Sequence, residues 1–583
     1  MKTFLLSLAG ALTALVMFAF AGIMFIALLI AGAQAPAPQP SKMVLSLDLR
    51  QGLADKGGRG LEGFFGVSNG FIDMLEKLDR AGNDPAVQGL FIRGTDSGYG
   101  SSRAEELRDA IRDFKAAGKF VLVHTQDNYS TGPSGLRAIS AADEIWMQPG
   151  TDLFTSGIVF ESLFLRNLLD KVSVTSEIQA LYEYKNAPNQ YSETGFTEPH
   201  REAMTALATS LWETSLADIA ADRDLDLADL EASLSGGPKP ADRVLEIGLV
   251  DKLGWPEEAA EAAKERGNGA KLVKMIDYRP PSVSSDAPVI AVVYGEGGIV
   301  TGAASNNPFS SSPEFASDTV ARALLRAGRN DKVEAVVFRV DSPGGSATAS
   351  DQIRYAVERV QEMGKPVIVS MGATAASGGY YVSTSADKIL ANRSTITGSI
   401  GIFGGKLAIA EGLERIGVNS EAIIVGDDFA GAFGMDRYTE EQRQIMLDWL
   451  TRGYERFTGL VADGRELPIE TVREIAKGRV WSGEDALELG LVDEIGGFVD
   501  ALNAALEAAG YAAGDEFKVV YYPEIGSPFQ NLGAASDASA EAANSVTRLN
   551  ALMSDPRLQA VLRDLEAAQS PEARADAPVL IER

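Results

Sequence analysis

Residues 333–346 read VEAVVFRVDSPGGS and, 246 positions earlier in the chain, residues 87–100 read VQGLFIRGTDSGYG. In both stretches an apolar run predicts a buried β-strand (87–93 and 333–339), and the glycines that follow predict a loop. The chain therefore contains two copies of one strand–loop unit.

The resemblance between the two copies continues into the next element. An amphipathic helix is predicted after each loop, because apolar residues recur there at helical spacing. The apolar faces are formed by Leu107, Ile111, Phe114, Ile353, Val357 and Val360. The patterns Ser102-x-x-Glu105 and Thr348-x-x-Asp351 predict capping boxes at the starts of these helices.

Three further pairs of segments extend the repeat. Strands are predicted at 120–123 and 366–369, and the tetrapeptides ADEI (142–145) and ADKI (386–389) follow them. The heptapeptides at 245–251 (LEIGLVD) and 487–493 (LELGLVD) lie 242 positions apart, so the spacing drifts by only a few residues along the repeat. Strands that alternate with helices predict a duplicated α/β domain with mostly parallel sheets joined by right-handed crossovers.

The length of 583 residues exceeds what one hydrophobic core supports, so several domains are expected. The predicted division follows the repeat and the changes in composition around it. The segments are an N-terminal membrane anchor (1–34), a first half (43–278), a linker rich in proline and serine (279–288), a second half (289–525) and a C-terminal extension of loop and short helices (526–583).

An uncharged apolar stretch from Phe4 to Ala33 opens the chain. Roughly 20 such residues span a bilayer, whereas a secretory signal has a shorter apolar region, so a permanent transmembrane helix is favoured. The small residues at 31–35 leave cleavage open as the alternative. Because Lys2 precedes the span, the positive-inside rule places the bulk of the chain outside the cytoplasm, in the periplasm of a bacterium.

Composition excludes several classes of function. The formal net charge of −28 argues against a nucleic-acid partner, because phosphates would repel the chain. The chain has no cysteine, which excludes cysteine proteases and thiolate metal sites. With only His124 and His200 available and no H-E-x-x-H pattern, neither a metal nor another cofactor is predicted.

The halves differ most informatively at Ser377, which follows a predicted strand and precedes a helical stretch in ATAASGGYY (373–381). At such a helix start, Gly378 can offer a backbone N–H to an oxyanion, and Gly344 and Gly345 are the predicted source of a second donor. The equivalent residue in the first half is Pro133, which has no N–H. We therefore predict Ser377 as a nucleophile, although a Ser N-cap at a tight turn is the structural alternative.

A serine nucleophile requires a base. His124 and His200 belong to no motif and are predicted to be structural or surface residues. A buried lysine can also accept a proton near neutral pH. Composition alone does not select that lysine.

The chain resembles the signal peptide peptidase A family of peptidases, in its long, duplicated form. The matching segments are 184–185 (YK), 341–345 (DSPGG), 376–381 (ASGGYY), 397–401 (TGSIG), 478–483 (GRVWSG) and 490–493 (GLVD). The resemblance implies a Ser–Lys dyad on a fold shared with crotonases and the Clp protease subunit. It implies Ser377 from the second half as nucleophile and Lys185 from the first half as general base.

The repeat agrees with that choice of lysine. When residues 197–204 are aligned with 439–446, Lys185 falls opposite Asp427, so the second half has kept the serine and lost the lysine. Lys406 is the alternative base. The resemblance further implies a homotetramer with dyads formed between protomers, and cleaved signal peptides as substrates.

Two other classes of function remain open at this point. A crotonase-like acyl-CoA enzyme would share the fold and the oxyanion hole. A non-enzymatic membrane scaffold derived from a protease would share the anchor.

Overall fold

The computed structural model of the chain describes residues 38–50, 55, 70–94, 100–126, 130–304, 314–523, 574–576 and 581–582. The predicted anchor and most of the predicted C-terminal extension lie outside these residues. Within the described part, no helix is both long and apolar enough to cross a membrane.

The strands follow one another through both halves. Those of the first half are β1 (Met43–Asp48), β2 (Val87–Arg93), β3 (Phe120–Thr125), β4 (Glu144–Met147), β5 (Asp152–Leu153), β6 (Phe160–Glu161), β7 (Thr175–Ser176), β8 (Gln179–Ala180), β9 (Lys239–Pro240), β10 (Lys252–Leu253) and β11 (Lys271–Lys274). Those that follow are β12 (Val289–Glu296), β13 (Gly298–Val300), β14 (Glu314–Ala316), β15 (Val333–Ser342), β16 (Gly344–Ser346), β17 (Val367–Ala376), β18 (Lys388–Ala391), β19 (Ile396–Gly398), β20 (Phe403–Gly404), β21 (Leu407–Ala408), β22 (Val480–Ser482), β23 (Glu494–Ile495), β24 (Lys518–Tyr522), β25 (Arg574–Asp576) and β26 (Ile581–Glu582).

Helices alternate with these strands. In the first half they are α1 (Phe71–Gly82), α2 (Ser101–Ala116), α3 (Ser134–Ser140), α4 (Arg166–Lys171), α5 (Asn189–Ser192), α6 (Glu198–Arg223), α7 (Leu227–Leu234), α8 (Ala241–Ile247) and α9 (Pro256–Arg266), with a 3-10 turn at Met275–Asp277. In the second half they are α10 (Ser317–Arg329), α11 (Ala347–Glu362), α12 (Gly378–Tyr381), α13 (Ala410–Arg415), α14 (Glu440–Gly464), α15 (Ile469–Ile475), α16 (Gly483–Glu488) and α17 (Phe498–Ala508), with a 3-10 turn at Asp428–Phe433.

Each half contains one main sheet, and the two sheets have the same strand order. The first runs β11-β1-β2-β3-β4-β10, and every pair in it is parallel. The second runs β24-β12-β15-β17-β18-β23, again with parallel pairs. It adds β19 on the extended end of β17, and β22 pairs antiparallel with β19. The predicted α/β fold with mostly parallel sheets is confirmed.

The repeated aspartates explain why two of the motifs recur. Asp143 accepts a hydrogen bond from the Val121 N–H at 2.7 Å, and Asp387 accepts the equivalent bond from Val367 at 2.7 Å. The last residue of each LVD sequence does the same for β4 or β18, because the Ile145 N–H donates to Asp251 at 2.8 Å and the Ile389 N–H donates to Asp493 at 2.7 Å. These motifs satisfy backbone donors at strand starts and are structural.

The predicted capping boxes are wrong. Helix α2 begins at Ser101 after Gly100, so Ser102 lies within its first turn. Helix α11 is capped by Ser346, whose side chain accepts from the Ala349 N–H, so Thr348 is also inside its helix. The Ser/Thr-x-x-acid pattern is therefore displaced from the true caps. Glu105 instead accepts from Arg393 in the other half, with 2.9 Å between Nε and Oε1.

The halves share a continuous apolar core. The largest buried cluster joins first-half side chains such as Leu107 and Leu90 with second-half side chains such as Val337 and Phe498. Helix α17 supplies much of that contact, because it packs against α1 of the first half and against β15 and β17. The two halves therefore form a single packed body rather than two separately folded units on a linker.

A smaller mixed sheet lies beside the second main sheet, with the order β14-β13-β16-β25-β20-β8. Its strand β8 comes from the first half and its strand β25 from the end of the sequence. The prediction of loop and short helices for 526–583 is wrong for the described residues there, since 574–576 and 581–582 are strands.

Candidate active site

Ser377 links the end of β17 to the one-turn helix α12, as the sequence predicts. Its backbone has φ 54° and ψ −112°, an unusual combination for a residue with a side chain. Such conformations cost about 1–3 kcal/mol and persist only where the surroundings enforce them. The Ser377 N–H donates to Gly398 O at 2.8 Å, which helps to fix the turn. Pro133, the equivalent residue, has φ −83° and ψ −8°, so the first half lacks this geometry.

Lys185 reaches Ser377 from the first half. Its Nζ lies 2.8 Å from Ser377 Oγ, 3.0 Å from Ser399 O and 3.1 Å from Ser399 Oγ. Lys185 is only 2 % exposed and Ser377 is fully buried. The structure thus brings together, within one chain, the two residues that the sequence selected.

Two glycines form the socket that holds Lys185. A Cβ on Gly478 would lie 2.5 Å from both Cα and Cβ of Lys185, and a Cβ on Gly401 would lie 3.2 Å from its Cδ. Gly478 also has φ +83°, a conformation that favours glycine. These glycines belong to the TGSIG and GRVWSG segments, so both motifs serve to seat a lysine from the other half.

Arg479 stabilises the position of Lys185 through contacts with neighbouring residues. Its guanidinium lies 5.1 Å from the Tyr184 ring centroid and 4.4 Å from that of Trp481. It also pairs with Glu202 of the first half, with 2.7 Å between Nη1 and Oε2. Tyr184, the residue before Lys185, is therefore held by stacking on a guanidinium that is itself fixed to the first half by a charge pair.

The predicted oxyanion glycines lie against one another, and Gly378 is next in the chain to Ser377. A Cβ on Gly378 would be 3.1 Å from both Gly344 Cα and Gly345 N, so these backbones are in close contact. The Gly344 N–H already donates to Ser342 Oγ at 3.1 Å. Within the glycine pair, Gly345 is consequently the better source of a second donor.

Asp341 anchors the start of the DSPGG loop. It accepts from the Thr374 N–H at 3.0 Å and pairs with Arg103 of the first half at 2.9 Å. Burial raises the pKa of Asp341, with a further contribution from the charge of Asp55. Asp341 therefore fixes the start of the loop at a point where the two halves meet.

The alternative bases lie elsewhere. Lys406 Nζ donates to Gly434 O at 2.7 Å and lies over the Tyr438 ring. His124 is buried with its Nε2 at 3.1 Å from Gly254 O. His200 is buried against the rings of Phe164 and Phe196. Each of these three side chains makes contacts of its own, and these contacts do not involve Lys185 or Ser377.

Ser399 is a site residue that the sequence did not single out. Its carbonyl and hydroxyl oxygens both lie within hydrogen-bond distance of Lys185 Nζ, and it has φ 51°. Ser399 belongs to the TGSIG segment, which is one of the segments that carry the family resemblance. The resemblance assigned no role to this serine. A single sequence does not show that this residue faces a lysine 214 positions away.

Comparison with known proteins agrees with the duplication. The sequence pattern of peptidase family S49 matches twice, at residues 113–270 and 359–511. Protease 4 of Salmonella typhi is 32 % identical over 501 residues, which cover 81 % of this chain and 79 % of the relative. The chain belongs to peptidase family S49.

Two more relatives extend the comparison within family S49. Protease 4 of Haemophilus influenzae is 33 % identical, over 74 % of this chain and 72 % of its own. The chloroplastic serine protease SPPA of Arabidopsis thaliana is 27 % identical, over 91 % and 77 %. The family and these relatives identify the chain as a serine protease.

Proposed function

We propose that the chain is a serine endopeptidase in which Ser377 is the nucleophile and Lys185 the general base. The observation that carries the proposal is the 2.8 Å contact between Lys185 Nζ and Ser377 Oγ. Burial disfavours the charged ammonium relative to the neutral amine, and a neutral amine can accept a proton. The oxygens of Ser399 hold the amine in place beside the hydroxyl.

The reaction follows from these positions. Lys185 takes the Ser377 proton as Oγ attacks the carbonyl carbon of a peptide bond, and the carbonyl oxygen becomes an oxyanion. The N–H groups of Gly378 and Gly345 are assigned to stabilise that oxyanion. The ammonium of Lys185 then gives its proton to the leaving amine, and an acyl-enzyme remains on Ser377.

Water completes the cycle. Lys185, neutral again, takes a proton from a water molecule, whose oxygen attacks the acyl carbon. Collapse of this second intermediate breaks the bond to Oγ, and Lys185 returns the proton to Ser377. A single lysine thus acts first as base and then as acid, in both acylation and deacylation. A neutral, buried and well-positioned amine is suited to these roles.

Signal peptides cleaved from exported proteins are the proposed substrates, and the periplasmic face of the inner membrane is the proposed location. The apolar N-terminal stretch supports an anchor, since its length suits a membrane span. An anchored protease meets hydrophobic peptides that remain in the bilayer. A relative from Enterococcus faecium, named "Putative signal peptide peptidase SppA", is 32 % identical over 36 % of this chain and 60 % of its own.

A homotetramer is the proposed assembly, supported by an apolar surface. Large apolar side chains are exposed at Leu163 (75 %), Ile416 (75 %), Ile423 (93 %) and Val425 (90 %). Arg415, the residue before Ile416, donates to Lys171 O, and β7 pairs with β21, so Ile416 lies beside the segment that follows Leu163. Large exposed apolar side chains on neighbouring segments are typical of an interface.

Variants of the purified full-length protein test the chemistry. Ser377→Ala and Lys185→Ala should each abolish hydrolysis of a fluorogenic peptide, whereas Lys406→Ala should remain active. Circular dichroism and size measurements check that all three variants fold and assemble as the parent does. Undiminished hydrolysis in Lys185→Ala, together with its loss in Lys406→Ala, would reverse the choice of base.

A further inference from the structure

Tyr182 begins the turn that leads to Lys185, and its backbone is strained. Its φ of 66° lies in the left-handed region, which residues with a side chain rarely adopt. Strand β8 ends at Ala180, and the N–H of Leu181 donates to Ile402 O at 3.4 Å, so contacts with the second half guide the chain up to this point. A strained backbone persists only where neighbouring contacts enforce it, so Tyr182 requires a partner that holds it in place.

Tyr454, on helix α14 of the second half, provides that contact. The centroids of the Tyr182 and Tyr454 rings are 4.8 Å apart, with 46° between the ring planes. Tyr182 is half exposed, whereas Tyr454 is buried in the apolar core of the second half. The buried ring is fixed by the core around it, and the exposed ring of Tyr182 rests on it.

The hydroxyl of Tyr454 contacts the other side of the lysine socket. Its oxygen accepts a hydrogen bond from the Lys477 N–H at 3.3 Å. Lys477 has φ 53° and precedes Gly478, which lies against the backbone of Lys185. Both residues of this turn are in the left-handed region, so its shape also depends on the surrounding contacts. One side chain therefore contacts both the segment that carries the lysine and the turn that receives it.

The equivalent residue of the first half is engaged differently. At the offset of 242, Tyr454 corresponds to Trp212 on helix α6, and Lys477 corresponds to Ser235. The Trp212 Nε1 donates to Glu231 of its own half at 3.3 Å, and Ser235 has φ −68°. The aromatic contact and the left-handed turn thus occur together in the half that receives a lysine.

We propose that Tyr454 is a positioning residue, which holds Lys185 beside Ser377 by seating Tyr182 on its ring and by fixing Lys477 through its hydroxyl. The inference rests on the proposed function, since it assigns a role to a residue that acts through the general base. Tyr454 affects the reaction through the two backbone segments that it holds. Its loss should therefore displace the amine and leave the binding of a peptide little changed.

Graded substitution of Tyr454 in the full-length protein tests this role. Tyr454→Leu removes both contacts, and we expect kcat for a fluorogenic peptide to fall by about 10- to 100-fold with little change in KM. Tyr454→Phe keeps the ring but lacks the acceptor for the Lys477 N–H, so its kcat should fall only a few-fold. Equal kcat values in the parent and in Tyr454→Leu would overturn the proposal.

The pH profile of kcat/KM separates displacement of the lysine from a loss of folded enzyme. A lysine that moves towards water holds its proton more tightly, so the acid limb of the profile should shift to higher pH in Tyr454→Leu. A larger inactive fraction would instead lower the activity by the same factor at every pH. Trp212→Leu is the matched control, because it removes a large ring from the equivalent position and should keep the kcat and the acid limb of the parent. A lower kcat in Tyr454→Leu with an unshifted limb would contradict the proposal.

Chemical labelling of Lys185 separates this inference from the proposed function, because labelling needs no catalysis. The full-length proteins are treated briefly with acetic anhydride, and acetylation of each lysine is measured by mass spectrometry. Lys185 is buried in the parent, so it should be labelled faster in Tyr454→Leu than in the parent or in Trp212→Leu. Lys119, whose amine is hydrogen-bonded to backbone oxygens of the first half, is the internal reference and should react equally in all three proteins.

The two failures give different results. Faster labelling of Lys185 in Tyr454→Leu, with no hydrolysis by the parent, would retain the positioning role and refute the peptidase mechanism. Hydrolysis by the parent, with the same labelling rate and the same pH profile in all three proteins, would retain the peptidase and refute the role of Tyr454.

Discussion

Individual residues show how the proposed catalytic pair is divided between the copies of a duplicated domain. Ser377 and Lys185 each lie in a half whose partner has lost the equivalent residue, to Pro133 and Asp427 respectively. The side chains meet because Gly401 and Gly478 of the second half leave room for the lysine backbone and its aliphatic stem. The contact between Lys185 and Ser377 therefore depends on the glycines of these motifs.

Substitution of Gly478 tests that role. In Gly478→Ala the new Cβ would overlap Lys185, so the lysine must move, and a displacement of about 1 Å can cost about 100-fold in rate. We expect kcat for peptide hydrolysis to fall by about that factor, with a smaller change in KM. Gly364→Ala is the matched control, because Gly364 has φ +82° and no atoms near the position of the new Cβ. The control should lose some stability to the same backbone strain but keep its kcat.

At the scale of elements, the repeat made much of the fold predictable. The apolar runs at 87–93 and 333–339 predicted β2 and the first part of β15, and the apolar helical faces predicted α2 and α11. Their caps were not predictable, because Ser102 and Thr348 resemble caps while Gly100 and Ser346 hold the actual positions. Capping depends on where the backbone leaves its helical conformation, which a pattern of side chains defines poorly.

The site was predictable only in part, for a related reason. Ser377 stands out within its own half, since Gly378 and Gly345 are present there and are replaced by Ser134 and Tyr99 in the first half. Lys185 and Ser399 meet through contacts between distant segments, and such contacts leave no local pattern. The resemblance to a family supplied the lysine, and the three-dimensional structure supplied Ser399.

The start of helix α6 provides a prediction at the same scale. His200 is buried there, and burial, together with the charge of Arg201, lowers its pKa to about 4. Its pKa in the unfolded chain is about 6.5, so the unfolded state binds the extra proton first as the pH falls. The contribution of neutral His200 to the free energy of unfolding is therefore present in full above about pH 6.5. It decreases as the pH falls towards about 4, by at most about 3 kcal/mol.

Melting temperatures of the parent and of His200→Gln between about pH 7 and pH 4.5 measure this effect. The difference in stability between the two proteins should move in favour of the variant as the pH falls, because glutamine does not titrate. Parallel curves over the whole range would show that the pKa of His200 is the same in the folded and unfolded states, as expected if water reaches the side chain in the folded protein.

The whole molecule is held together by buried ion pairs as well as by its shared core. Arg339, on β15 of the second half, donates to Asp55 and Glu106 of the first half at 2.9 Å each. A second group joins Arg137 and Asp218 of the first half to Arg393 of the second. Both groups lie where the halves meet, so the relative position of Ser377 and Lys185 depends on them.

Arg339→Leu should destabilise the protein strongly. Removal of one member of a buried ion pair leaves its partners buried without compensation and costs about 3–5 kcal/mol. Arg93→Leu is the matched control, because Arg93 is the equivalent residue of the first half, is partly exposed and donates to Gln126 at 2.8 Å. The control should cost about 1 kcal/mol or less. Denaturation of both variants by urea measures the two losses.

The loss in Arg339→Leu should also depend on pH. Burial raises the pKa of Glu106, and Arg339 opposes that shift, so the pKa rises further without the arginine. A carboxyl whose pKa is raised in the folded state favours folding at low pH, and this contribution is lost as the pH rises through the folded-state value. The variant should therefore be closer to the parent at about pH 5 than at about pH 8. A loss of the same size at both values would mean that Glu106 stays ionised in the variant, with its charge stabilised by water that enters the joint between the halves once the guanidinium is gone.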